Sequence, residues 1–169
     1  MTTTSTTAGS AHSGPGAAGP TPSGLRTGHV GLNVSDLDRS IDFYVQVLGL
    51  QVQARGDEPE RRWVFLGRDG QLLVTLWQQS DGRFPTDRPG LHHLSFQVDS
   101  IEQVRAVRAT LQGLSAQFAY EGVVPHGEGA ASGGIFFADP DGIRLEVYAP
   151  SGTDAAPVPV SGAPTCGFF

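Results

Sequence analysis

The chain has no lysine, so all 11 of its basic residues are arginine, and they are scattered among 17 acidic residues to give a formal charge of −6. Without a basic run, an acidic chain is a poor partner for nucleic acid or an anionic membrane surface. There is one cysteine, Cys166, close to the end. This excludes an intrachain disulfide and any cysteine-built metal centre. No apolar run approaches the eighteen or more residues of a membrane span. The N-terminus has neither a positive leader nor an apolar stretch of the secretory kind. These absences point to a cytoplasmic location. Hydrophobic residues make up only 38% of the chain, and much of that dilution comes from the ends. Residues 1–24 are a low-complexity mixture of Thr, Ser, Ala, Gly and Pro, and residues 151–169 are similar. Such segments bury too little apolar surface to offset the entropy of ordering. We therefore expect one domain over residues 25–150, a disordered tail over 1–24 and a flexible tail over 151–169. The second tail ends in Phe168-Phe169, and one buried Phe contributes about 1.5–3 kcal/mol. Residues 164–169 are accordingly expected to dock on a folded surface, at the mouth of the pocket of their own or a partner chain.

The central segment repeats itself. GHVGLNV (28–34) superposes on HHLSFQV (92–98) at an offset of 64 residues, pairing His29 with His93. The same offset pairs Leu37 with Ile101 and Gly49 with Gly113. WVFLGRDGQLLVTLW (63–77) matches GIFFADPDGIRLEVY (134–148) at an offset of 71, the difference being taken up by a longer loop around GVVPHGEGAASGG. The halves, about 28–79 and 91–148, each read as strand, helix and three strands. In the first half, strands are expected at 28–34, 50–55, 61–67 and 72–79. Ser35 is the expected N-cap of a helix whose face carries Leu37, Ile41, Tyr44 and Leu48, with Gly49 as its stop. In the second, strands are expected at 91–98, 116–121, 134–138 and 143–148, with a helix over 101–112 and a turn at Asp139-Pro140-Asp141-Gly142.

Side chains alternate across a strand. His29 and Asn33 therefore share one face of the first strand, His93, Ser95 and Gln97 one face of the fifth, and Arg144, Glu146 and Tyr148 one face of the last. The opposite faces are apolar and should meet the helices. Any one of these histidines, taken singly, reads as an ordinary hydrogen-bonded residue. The pair related by the repeat, with Glu146 on a matching face, reads as a metal site. Two imidazoles and one carboxylate can hold one divalent ion and leave positions open for substrate oxygens. By the same parity Leu73, Thr75 and Trp77 turn toward the site. With Asn33, Ser95, Gln97, Arg144 and Tyr148 they outline a mixed aromatic and polar pocket for a small organic molecule. His126 and Glu128, in the glycine-rich loop, are candidates for general-base chemistry.

The segments HVGLNVSDLDRSIDFYVQVLGL (29–50), GLHHLSFQVDS (90–100) and FFADPDGIRLEVY (136–148) resemble the vicinal oxygen chelate superfamily of glyoxalases, bleomycin-resistance proteins and dioxygenases, from about Gly28 to Pro150. The resemblance implies an α+β fold of two βαβββ modules forming a curved, barrel-like sheet. It also implies metal ligands His29, His93 and Glu146, with iron, manganese, nickel or zinc as the ion. The expected activity is lyase, isomerase or dioxygenase chemistry on a small oxygen-chelating substrate, with Glu146 and His126 as catalytic residues. The alternatives are a drug- or metabolite-binding protein without turnover and a structural protein that kept only the fold. A homodimer is expected, since relatives commonly build sites by pairing modules across chains. Thr75 stands where glyoxalase I uses a second carboxylate, the dioxygenases' tyrosine has no counterpart in Ile135-Phe136-Phe137, and a phosphonate pocket of the fosfomycin type would lack lysine.

Overall fold

The computed structural model describes residues 23–153, 156–167 and 169. The expected N-terminal tail therefore lies, but for its last two residues, outside the described residues. The first module comprises β1 (Val30–Asn33), α1 (Leu37–Leu48), β2 (Gln51–Glu58), β3 (Arg61–Arg68) and β4 (Gln71–Trp77). The second comprises β5 (Leu94–Gln97), α2 (Ile101–Gly113), β6 (Val124–Pro125), β7 (Gly133–Ala138) and β8 (Arg144–Ala149). The strand orders are β1-β4-β3-β2 and β5-β8-β7-β6, so the halves share one topology. In each, the first strand runs parallel to the last and the remaining pairs are antiparallel. The fold is α+β with two βαβββ modules, as the repeat implies. The two sheets share no strand pairing among the described residues, so the chain forms two open sheets and no closed barrel. No helix among the described residues is long and apolar enough to cross a membrane.

The helices form where the pattern requires and stop for identifiable reasons. Leu37, Ile41, Tyr44 and Val47 are buried along one face of α1, the spacing of an amphipathic helix. Gly49 closes it in the left-handed region at φ 63°, and its N–H donates to the Val45 carbonyl. The N-cap is Asp36, whose carboxylate accepts from the Arg39 N–H, and not the expected Ser35. The Ser35 hydroxyl is drawn away by a stronger partner, the Asp141 carboxylate at 2.5 Å. α2 begins with a capping box in which Ser100 and Gln103 satisfy each other's backbone N–H.

The expected strand at 116–121 does not form. Only Phe118 pairs with β7, as an isolated bridge to Phe137, and the fourth strand of the second sheet is β6, inside the inserted loop. This places the loop's next residue, His126, beside the sheet.

The modules are joined on their helix sides through one continuous core that includes Leu37, Val47, Val104, Leu111, Ile135 and Leu145. A polar clamp reinforces the joint. Asp141, in the β7–β8 turn, accepts hydrogen bonds from the Ser35 N–H at 2.9 Å, the Ser35 hydroxyl and the Arg39 guanidinium at 2.6 Å. Next to it the buried Tyr44 hydroxyl donates to Asp139 at 3.1 Å. Burial raises the Asp139 carboxyl above its usual range, against hydrogen bonds from Ile143, Tyr44 and Asp141 that pull it down. With the helices back to back, each sheet turns its other face away from the joint, and on the second sheet the C-terminal segment packs against that face.

Candidate metal centre

Glu146 lies on β8 opposite Ser95 of β5 and Phe136 of β7. Its side chain is only 4% exposed. Oε1 is 2.5 Å from His126 Nε2, and Oε2 is 3.5 Å from His93 Nε2. Burial alone would raise the Glu146 carboxyl. Hydrogen bonds from His126 and Ser95 outweigh it and hold the group below its usual range, in the ionised form. A carboxylate accepts only, so His126 Nε2 donates to it, and the other ring nitrogen, Nδ1, is 2.9 Å from the Ser132 hydroxyl. The relay Ser132–His126–Glu146 fixes the orientation of the imidazole. At His93 burial lowers the pKa, against the pull of Glu146, and the nearby His92, Arg144 and His126 add to the lowering. This favours the neutral imidazole that a metal requires.

Two donors of one divalent ion, each about 2.0–2.2 Å from it, lie roughly 3 Å apart. His93 and Glu146 fit that requirement. His29 does not join them: it is exposed just before β1, on the other module. Among the described residues no set of three His, Cys, Asp or Glu side chains is placed to hold a metal ion within the single chain.

The expected pocket residues divide between the sheets. Asn33, Leu73, Thr75 and Trp77 belong to the first module, whereas Ser95 and Gln97 lie on β5 and Arg144 and Tyr148 on β8 with Glu146, Ser95 being hydrogen-bonded to it. The Tyr148 hydroxyl donates to Gln97 Oε1 at 2.8 Å, and the Tyr148 ring lies 5.1 Å from His126. Thr75 is buried and accepts from the Trp77 indole at 3.1 Å. Leu73 and Gln97 also line a separate cleft of about 370 Å³ between the modules, with Val47, Leu50, Phe96 and Val107. Glu128, the other loop candidate, accepts from Ser161 on the surface at 2.6 Å, away from Glu146.

Several residues of the two open faces are not evident from motifs. Trp63 and Phe65 pair across the ladder with Trp77 and Thr75, and their rings lie 4.6 Å apart beside Trp77. Strand alternation, extended to β3, would have found both. Ser132 sits in an irregular loop, where no pattern marks it. Phe136 is legible by its register with Glu146. The C-terminal segment also meets this face. The Thr165 N–H donates to the His126 carbonyl, and the Phe169 ring packs 4.8 Å from Phe136 and 5.5 Å from His93.

Residues 26–147, all but the last residue of the repeat, match the family model of the Glyoxalase/Bleomycin resistance protein/Dioxygenase superfamily, and the chain belongs to that superfamily. It is 30% identical over 138 residues to a lactoylglutathione lyase of Neisseria meningitidis serogroup A, across 78% of this chain and 96% of the relative. It is 26% identical over 127 residues to a catechol-2,3-dioxygenase of Bacillus subtilis, across 72% of this chain but 40% of that longer protein. Among solved structures, a glyoxylase/bleomycin resistance protein/dioxygenase domain from Frankia sp. EAN1pec superposes with a TM-score of 0.63 at 29% identity, covering 74% of this chain and 97% of that one.

Proposed function

We propose that the chain is a metal-dependent enzyme acting on a small oxygen-chelating organic substrate, by glyoxalase-like lyase or isomerase chemistry or by dioxygenation. The observation that carries this reading is the Glu146 carboxylate, buried and ionised, with His93 Nε2 facing one oxygen and His126 Nε2 bonded to the other. Burying a charge is costly unless it is paired or coordinates a metal. A protein that only sequestered an apolar ligand would have no use for this arrangement. His93, Glu146 and the repeat-related His29 are the residues that would hold the ion. When bound, a divalent metal supplies Lewis-acid polarisation of the substrate oxygens.

The chain's own residues have distinct tasks in this scheme. His126 holds Glu146 in place. Arg144, Gln97 and Tyr148 border the same face and would orient polar groups of the substrate. The relatives named for lactoylglutathione and catechol chemistry support the class of reaction, not a particular substrate.

Glu146→Ala should lose most of its divalent metal, measured by elemental analysis of protein purified without added metal and by manganese titration. Its circular dichroism should remain that of the parent, because the change leaves the β8 ladder in place. A Glu146→Ala protein that holds metal as well as the parent would remove the basis of this reading. Iron in the parent protein would favour oxygen chemistry, and nickel, zinc or manganese the lyase side.

A further inference from the structure

Residues Thr165 and Phe169 pack against the site just described. Thr165 is fully buried. Its hydroxyl donates to the Pro125 carbonyl at 2.6 Å and its N–H to the His126 carbonyl at 2.9 Å, while its own carbonyl accepts from the Tyr120 hydroxyl at 3.1 Å. These bonds tie the segment to β6 and to the residue that holds Glu146. Four residues further on, the Phe169 ring meets Phe136 edge to face at 4.8 Å, His93 at 5.5 Å and His92 at 6.2 Å. The Arg144 guanidinium lies over the same ring, its carbon 5.8 Å from the centroid. An aromatic edge, two imidazoles and a cation thus surround one six-membered ring, a combination suited to an aromatic group. Arg144 makes no ion pair among the described residues.

We propose that His93, Phe136 and Arg144 form a subsite for an aromatic ring bearing a carboxylate, and that Phe169 is a tethered self-ligand occupying it until such a molecule displaces it. The anchor and the ring are separable. Thr165 is held by three hydrogen bonds in a buried position, whereas Phe169 is half-buried and, among the described residues, is held by ring contacts. The ring can therefore leave while the anchor stays. A ring on so short a tether competes at an effective concentration of about millimolar, so a displacing ligand must bind well or be abundant. The proposal takes its location from the metal-site reading but does not need a metal to be bound.

The test uses the full-length chain and its Phe169→Ala variant, both in chelator. Acylation of each histidine by diethyl pyrocarbonate is followed by mass spectrometry. In the variant His93 should react at least about fivefold faster, because the half-buried Phe169 ring no longer packs against its imidazole, while N-acetylhistidine added as an internal standard reacts equally in both samples. Millimolar N-acetylphenylalanine should slow His93 in the variant, and N-acetylleucine at the same concentration should not. Equal His93 rates in the two proteins would overturn the proposal, as would equal protection by the two probes. A chain that shows the aromatic effect yet binds no metal in titration would retain the subsite and lose the metalloenzyme reading, so the two can fail separately.

Discussion

Gly134 shows how closely β7 and β8 approach opposite Tyr148. A Cβ placed there would come within 2.3 Å of the Val147 carbonyl oxygen and 2.8 Å of the Tyr148 Cα. Both neighbours are backbone atoms of β8, the strand that carries Glu146, so neither can rotate aside. Gly134→Ala should therefore cost about 1–3 kcal/mol, the usual penalty for overpacking a filled interior. Chemical denaturation checks this, and an unchanged midpoint would show that the strands separate freely. At this scale the sequence was readable where alternation governs. Parity puts Ser95, Gln97, Glu146 and Tyr148 on one face of the second sheet, and Tyr148 and Gln97 are bonded to each other there. Parity is silent about loops. The contact from His126 to Glu146 depends on how the inserted loop folds back through β6, and the place of Ser132 depends on the same loop.

The Asp139–Gly142 turn is legible as a turn, but its second use as a clamp is not. Its signature of Asp, Pro and Gly concerns only local backbone. The partner of Asp141 lies 106 residues earlier, at Ser35. The same contact explains why the helix cap moves from Ser35 to Asp36, a competition between a local and a distant partner that periodicity cannot see. Asp141→Ala removes the acceptor for three donors, two from Ser35 and one from Arg39. The Asp141 side chain is 5% exposed and Arg39 47%, so the ion pair is partly screened and most of the loss falls on the part-buried hydrogen bonds from Ser35. A cost of about 2–3 kcal/mol is expected in urea denaturation. In a cycle with Ser35→Ala the two effects should fall short of additivity. Full additivity would mean that the clamp contributes nothing to the joint between modules.

At the scale of the whole chain, back-to-back modules have a consequence for function. The first sheet leaves Trp63, Phe65 and Trp77 half-buried on its open face, and His29 belongs to that module. The second sheet carries Glu146, with His93 just before β5, on the face that the C-terminal segment partly covers. A homodimer in which the first module of one protomer covers the second module of the other would bury the aromatic face and bring a third ligand to the pair. If sites are shared in this way, two defective chains can repair one another. His29→Ala lacks a ligand from its first module, and Glu146→Ala lacks one from its second. In a heterodimer of the two, one site combines both losses. The other combines the intact His29 of one chain with the intact His93 and Glu146 of the other. Unfolding and refolding the two variants together should therefore recover metal, up to half the parent's content in each mixed dimer, although neither variant alone retains it. Native mass spectrometry can count ions in the mixed species directly. If mixed dimers form and remain empty, or if the parent is monomeric with one ion per chain, the sites are not shared and His29 must reach Glu146 by another route.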